Sequence, residues 1–114
     1  MAIREIDLLQ GTLDLMILQT LGRGADHGYS IAQRIRKLSD DVLRIEEGSL
    51  YPALYRLERQ GLIDSEWQVT ENNRKGKFYR LTRKGRDAAR AELDGWQRLS
   101  KAVARVLRAI EQGA

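Results

Sequence analysis

The feature that most constrains this fold is the periodic stretch at the C-terminal end of the chain. Thr82 has the side chain of a helix N-cap. From Arg83 to about Glu111, apolar residues recur as Ala89, Leu93, Trp96, Leu99, Val103, Val106 and Ile110, at spacings of three and four. A helix of that length runs roughly 40 Å. A chain of 114 residues makes one domain with one modest core, which covers only part of such a helix. From Trp96 to Ile110 the alternation is strict, which is the seam of a helix pair. An apolar stripe left bare over that length is an association site, and the economical partner is the same helix of a second copy about a two-fold axis. The alternative is that the helix folds back on its own domain. The expected interface residues are Leu93, Trp96, Leu99, Val103, Val106 and Ile110.

Composition narrows what such a chain can do. With 42% hydrophobic and 32% charged residues it reads as a globular domain rather than a disordered segment. There is no cysteine, which removes disulfides, thiolate metal sites and thiol catalysis. His27 is the single histidine, so no multi-histidine metal site is expected, and carboxylates show no ligand spacing. With no partner in sight, His27 reads as a loop or turn residue. No nucleophile–base pair and no Gly-rich phosphate loop is present, so neither an enzyme nor a cofactor is expected. No apolar run approaches the roughly 20 residues of a membrane span, and Met1-Ala2-Ile3-Arg4-Glu5 opens no signal peptide. A cytoplasmic location is therefore expected.

Ahead of the long helix the pattern changes three times. Leu9, Leu13, Met16, Ile17 and Leu21 mark a first helix, widened by Leu8, Leu15 and Leu18 and ended by Gly22 and Gly24. A loop from Arg23 to Gly28 leads to a second, amphipathic helix over Tyr29–Leu38, with Ile31, Ala32, Ile35 and Leu38 in a narrow stripe and a polar outer face. Val42-Leu43-Arg44-Ile45 has the composition of a short strand. A third helix is expected over Ser49–Gln60, with Ser49 as N-cap, Pro52 in the first turn, and Gly61 and Leu62 forming a Schellman-type end. Leu62–Thr70 and Lys77–Leu81 then read as two strands of a hairpin around the polar loop Glu71-Asn72-Asn73-Arg74-Lys75-Gly76. The expected fold is mainly α with a small β-hairpin: a winged helix-turn-helix over residues 1–82 and one long C-terminal dimerisation helix over 83–114.

In a helix-turn-helix the second helix of the pair enters the major groove, here the helix that begins near Ser49. Leu50, Leu54 and Leu57 fall on one line and fix it to the body. At about 100° per residue the other side carries Tyr51, Pro52, Tyr55, Arg56 and Arg59. The candidate DNA contacts are thus Ser49, Tyr51, Pro52, Tyr55, Arg56 and Arg59, joined by Tyr29 and Gln33 of the second helix. Tyr51 and Tyr55 have packing as their alternative role. The net charge of +4 is a weak signal, but its placement is a stronger one. Arg74, Lys75, Lys77, Arg80, Arg83, Lys84, Arg86 and Arg90 crowd into residues 74–90 against Asp87 alone. Arg74, Lys75 and Lys77 fall on the hairpin and suit a wing lying along the phosphate backbone.

Four segments of the sequence resemble the PadR family of bacterial transcriptional regulators. Gly11-Thr12-Leu13-Asp14-Leu15-Met16-Ile17-Leu18 is similar to the family's first helix, and His27-Gly28-Tyr29-Ser30-Ile31-Ala32 to the start of its second. Most specific is the run from Gly48-Ser49-Leu50-Tyr51-Pro52-Ala53-Leu54-Tyr55 through Gly61-Leu62-Ile63, which resembles the family's recognition helix. Lys77-Phe78-Tyr79-Arg80-Leu81-Thr82 with Gly85 resembles the second wing strand and the start of the last helix. The resemblance implies a homodimer, usually a repressor, bound to a palindromic DNA operator and released by a small molecule or a cellular signal. It also implies a short subgroup with a single C-terminal helix. In some short members, interface aromatics line a central cavity for flat, hydrophobic compounds. Trp96 is placed for that role, with plain interface packing as the alternative. The rival class is a winged-helix protein-interaction module without specific DNA binding.

Overall fold

The computed structural model describes residues 10–113. In chain order they form α1 (Gln10–Leu21), β1 (Asp26–His27), α2 (Gly28–Leu38), α3 (Glu47–Arg59), β2 (Ile63–Val69), β3 (Lys75–Leu81) and α4 (Arg83–Glu111). Leu8 and Leu9, expected to belong to the first helix, lie outside the described residues.

Helix α1 is central because its apolar residues nearly encircle it. Leu13, Leu15, Ile17, Leu18 and Leu21 are all buried. The other elements pack around it: Ile31 and Ile35 from α2, Leu50, Ala53, Leu54 and Leu57 from α3, Ile63, Tyr79 and Leu81 from the sheet, and Ala89 from α4. The leucine and isoleucine side chains among them each stabilise the fold by about 1.5–3 kcal/mol when fully buried.

The sheet has three strands in the order β1-β3-β2, all antiparallel. The third strand is a departure from the expected hairpin. Asp26 and His27, expected in a loop, pair with Tyr79 and Phe78. A two-residue strand shows no period of its own; it exists because β3 offers it an edge. His27 then serves as N-cap of α2, its Nδ1 accepting from the Ser30 amide at 3.2 Å, with its ring edge-on to Phe78.

Two further expectations are corrected. Val42–Ile45 is irregular rather than a strand. Asp40 and Asp41 take left-handed backbone (φ 55° and 70°), turning the chain back so that the Asp41 amide donates to the Arg36 carbonyl at 2.8 Å. The segment pairs with no strand among the described residues; the Val42 and Leu43 amides donate to the Ser39 carbonyl and hydroxyl. Leu43 and Ile45 pack on the core from this loop. Helix α3 begins at Glu47, with Glu46 as a cap that makes no side-chain bond, so Ser49 is not the N-cap. Its amide donates instead to the Glu46 carbonyl at 3.0 Å. Pro52 therefore lies in the second turn. Proline there removes one intrahelical donor.

The start of α4 is locked to the end of α3. Gly61 has φ 76°, its amide donates to Glu58, and the Leu62 amide donates to Leu57, completing the Schellman end. Thr82 donates its hydroxyl to the Gly61 carbonyl at 2.6 Å and accepts from the Gly85 amide at 3.0 Å. Lys84 donates to the Gln60 carbonyl at 2.9 Å. Gly85 passes so close to Leu62 that an added Cβ would lie 1.8 Å from its carbonyl oxygen.

Beyond Ala89, α4 leaves the body. The radius of gyration is 16.2 Å, against about 13 Å for a compact domain of this length, and the longest extent is 59 Å. Along the projecting part Leu93 is half-buried, while Trp96, Leu99, Val103, Val106, Leu107 and Ile110 are exposed within the single chain. Leu107 widens the expected stripe.

Candidate nucleic-acid interface

Leu50, Ala53, Leu54 and Leu57 anchor α3 to the core, and this fixes which side chains it presents outward. Ser49, Tyr51, Pro52, Tyr55 and Arg59 are exposed. Tyr55 is 64% exposed, which sets aside the packing role for it; Tyr51, at 43%, keeps one edge against the body. The Arg59 guanidinium sits 5.8 Å over the Tyr55 ring, an arrangement that pre-orders a cation at the helix surface.

Arg56 behaves differently from its expected role. At 100° per residue it lies on a flank of the helix, and that flank meets α1. Its Nη2 donates to the Asp14 carboxylate at 2.5 Å, with the two side chains only 28% and 13% exposed. The Arg56 Nε is buried without a partner among the described residues. The side chain therefore ties α3 to α1 and holds the angle of the presented face.

Helix α2 lies beside α3 and contributes Tyr29 and Gln33, both exposed and joined by a 2.7 Å hydrogen bond from the Gln33 amide to the Tyr29 hydroxyl. Its start is pinned by Asp26, which accepts from Ser30 at 2.6 Å and pairs with Arg34 at 3.2 Å. Tyr29, Gln33 and Tyr51 line a groove between α2 and α3 together with Arg36 and Arg44.

The wing is the β2–β3 hairpin. Its tip is closed by the Thr70 amide donating to Arg74 at 2.7 Å, with Asn73 at φ 58°. At Gly76 an added Cβ would lie 2.8 Å from the Thr70 methyl, so one of the two would have to shift. Arg74 and Lys75 are exposed at this tip. Lys77 is half-buried nearer the body, 3.7 Å from Glu58 and 5.7 Å from the centre of the Tyr79 ring. Burial, helped by the Glu58 charge, pushes the Tyr79 phenol above its ordinary value.

The basic run of residues 74–90 divides between two elements. Arg74, Lys75 and Lys77 belong to the wing. Arg80 is paired with Asp64 at 2.7 Å, Lys84 is spent on the α3 end, and Arg83, Arg86 and Arg90 lie on α4. Trp67, which is not among the expected DNA contacts, is 67% exposed on β2.

Three helices and a wing on one core, with a fourth helix running off it, define a winged helix-like fold. The chain belongs to the PadR-like family of transcriptional regulators, whose sequence profile matches residues 17–91. It is similar to the transcriptional regulator Rv3488 of Mycobacterium tuberculosis, at 35% identity over 75% of this chain and 79% of that protein. Among solved structures it resembles a transcriptional regulator from Clostridium thermocellum, at 31% identity and a TM-score of 0.76, over 84% of this chain and 90% of that one. A PadR family transcription regulator from Clostridium difficile R20291 aligns at 29% identity and a TM-score of 0.73, over 83% and 97% of the two chains. These relatives are transcriptional regulators and not enzymes. Among the described residues, no helix is long and apolar enough to cross a membrane.

Proposed function

We propose that this PadR-family protein is a cytoplasmic, sequence-specific repressor that binds a palindromic operator as a homodimer and is released by a small hydrophobic molecule or a cellular signal. The observation that carries the DNA-binding reading is the outer face of α3: a leucine-anchored helix presenting Ser49, Tyr51, Pro52, Tyr55 and Arg59, flanked by Tyr29, Gln33 and the wing cations. In this reading α3 enters the major groove, where Arg59 reaches a guanine edge or a phosphate and Pro52 rests on a thymine methyl. Arg74, Lys75 and Lys77 neutralise backbone phosphates and give affinity without sequence information.

Residues 1–82 carry the DNA-binding part and 83–114 the dimerisation helix, although Gly85 and Ala89 also belong to the core. The exposed stripe from Trp96 to Ile110, continued inward by Leu93, supports a second copy as the partner. Trp96, 44% exposed, packs that seam and is the aromatic available to a flat effector.

The test is a fluorescence-anisotropy titration with duplex DNA at several salt concentrations, with sedimentation on the same samples. A dimer at micromolar concentration is expected. Replacing Lys75 and Lys77 with alanine should weaken binding to all sequences and reduce the salt slope by about one unit per lost phosphate contact. An unchanged slope would reject the wing's role. A pure monomer would reject the dimer, and no affinity at low salt would favour a protein-contact role.

A further inference from the structure

The two faces of the wing have unlike chemistry. On one face the register pairs Asp64 with Arg80, Glu66 with Phe78 and Gln68 with Gly76. Its one cation is held by Asp64 at 2.7 Å, and Glu66 adds a negative charge. On the other face Ser65 pairs with Tyr79, Trp67 with Lys77 and Val69 with Lys75. That face carries two lysines and no carboxylate of its own; the nearest to Lys77 is Glu58 of α3, at 3.7 Å. Only this second face suits a polyanion.

The second face also closes a space. Trp67, Thr70, Lys77 and Tyr79 of the wing meet Tyr29 and Tyr51 across a cleft of about 500 Å³. Tyr29 and Tyr51 line the α2–α3 groove as well. Along β2 the same side runs from Ile63, 1% exposed in the core, out to Trp67 at 67%. The indole lies beyond the reach of the core and lines the cleft.

We infer that Trp67 is a DNA-backbone contact, an inference that rests on the DNA-binding reading above. Its ring packs on the apolar side of a deoxyribose, and its Nε1–H donates to a phosphate oxygen beside the Lys77 ammonium. The indole supplies a donor and a flat apolar surface in one rigid side chain. Sugar and phosphate contacts of this kind add affinity without sequence preference. Because the indole is neutral, it acts without releasing counterions, which separates it from Lys75 and Lys77.

The experiment uses the full chain and a random-sequence DNA duplex at low salt. Tryptophan emission and anisotropy are followed in one titration for the wild type and for Trp67→Phe. The wild-type emission should change in step with binding, and most of that change should be lost in Trp67→Phe. Trp67→Ala should weaken binding about tenfold, the loss expected for one charge-assisted hydrogen bond, while keeping the wild-type salt slope. Circular dichroism melting confirms that each variant is folded, as expected for so exposed a position. Emission unchanged at saturating DNA, or wild-type affinity in folded Trp67→Ala, would overturn the inference. A wild type that binds no DNA would overturn the DNA-binding reading itself, and this inference with it.

Discussion

Replacing Gly85 with alanine places a Cβ 1.8 Å from the Leu62 carbonyl oxygen and 2.8 Å from its carbon. Both neighbours are backbone, so no side chain can swing aside. Reaching ordinary contact at 3.4 Å requires the start of α4 to move by about 1.6 Å from the end of α3. The same carbonyl accepts from the Thr82 amide at 3.1 Å, and Thr82 holds the Gly61 carbonyl at 2.6 Å. A shift of that size breaks both bonds, each worth about 0.5–1.5 kcal/mol net. Overpacking adds about 1–3 kcal/mol. Alanine regains about 1 kcal/mol of helix propensity, leaving a net loss of about 1–5 kcal/mol. Gly95 on the same helix is the control: it has open space around it, so Gly95→Ala should keep the propensity gain and stabilise by about 0.5–1 kcal/mol. Urea unfolding at one fixed protomer concentration reads both, since the stability of a dimer depends on concentration. Opposite signs are expected. A neutral or stabilising Gly85→Ala would refute the close approach on which the α3–α4 junction is built.

Two further outcomes follow from the charge arrangement. Asp14→Ala should destabilise the fold by about 2 kcal/mol, less than for a fully buried pair because Arg56 keeps some solvent. Adding Arg56→Met should recover part of that loss in the same unfolding assay, whereas strictly additive losses would show that the pair does not couple. Burial, and then the Asp14 carboxylate, hold the Glu92 carboxyl above its ordinary value of 4.5. A folded value above the unfolded one means that ionisation weakens the fold as pH rises through that interval, and the loss persists at neutral pH. Glu92→Gln should therefore melt at a higher temperature than the wild type at pH 7 and at the same temperature near pH 4. A lower melting temperature at pH 7 would contradict this.

Much of the fold was legible where local chemistry alone decides the backbone. Thr82 caps α4, Gly61 ends α3, and the apolar period runs to Glu111, as their residue types require. What escaped the reading depends on partners distant in sequence. Asp26 and His27 become a strand only because Phe78 and Tyr79 present an edge. Val42–Ile45 has strand composition but no edge to join. The start of α3 was misplaced because Ser49 looks like a cap, while the chain turns helical two residues earlier without a side-chain cap. At the candidate interface the helical angle placed Tyr55 and Arg59 outward, where they stand. It could not foresee that Asp14, 42 residues away, would claim Arg56. The alternation of β2 put Trp67 on the same side as buried Ile63; that side leaves the core before it reaches residue 67.

The central claim, a two-fold DNA-binding regulator, is tested most directly by selecting bound sequences from a pool of random duplex DNA with the purified protein. Two copies of α3 related by a dyad should enrich an inverted repeat with half-sites about one helical turn, roughly 34–36 Å, apart. Enrichment of an asymmetric single site, or no enrichment at low salt, would contradict the account.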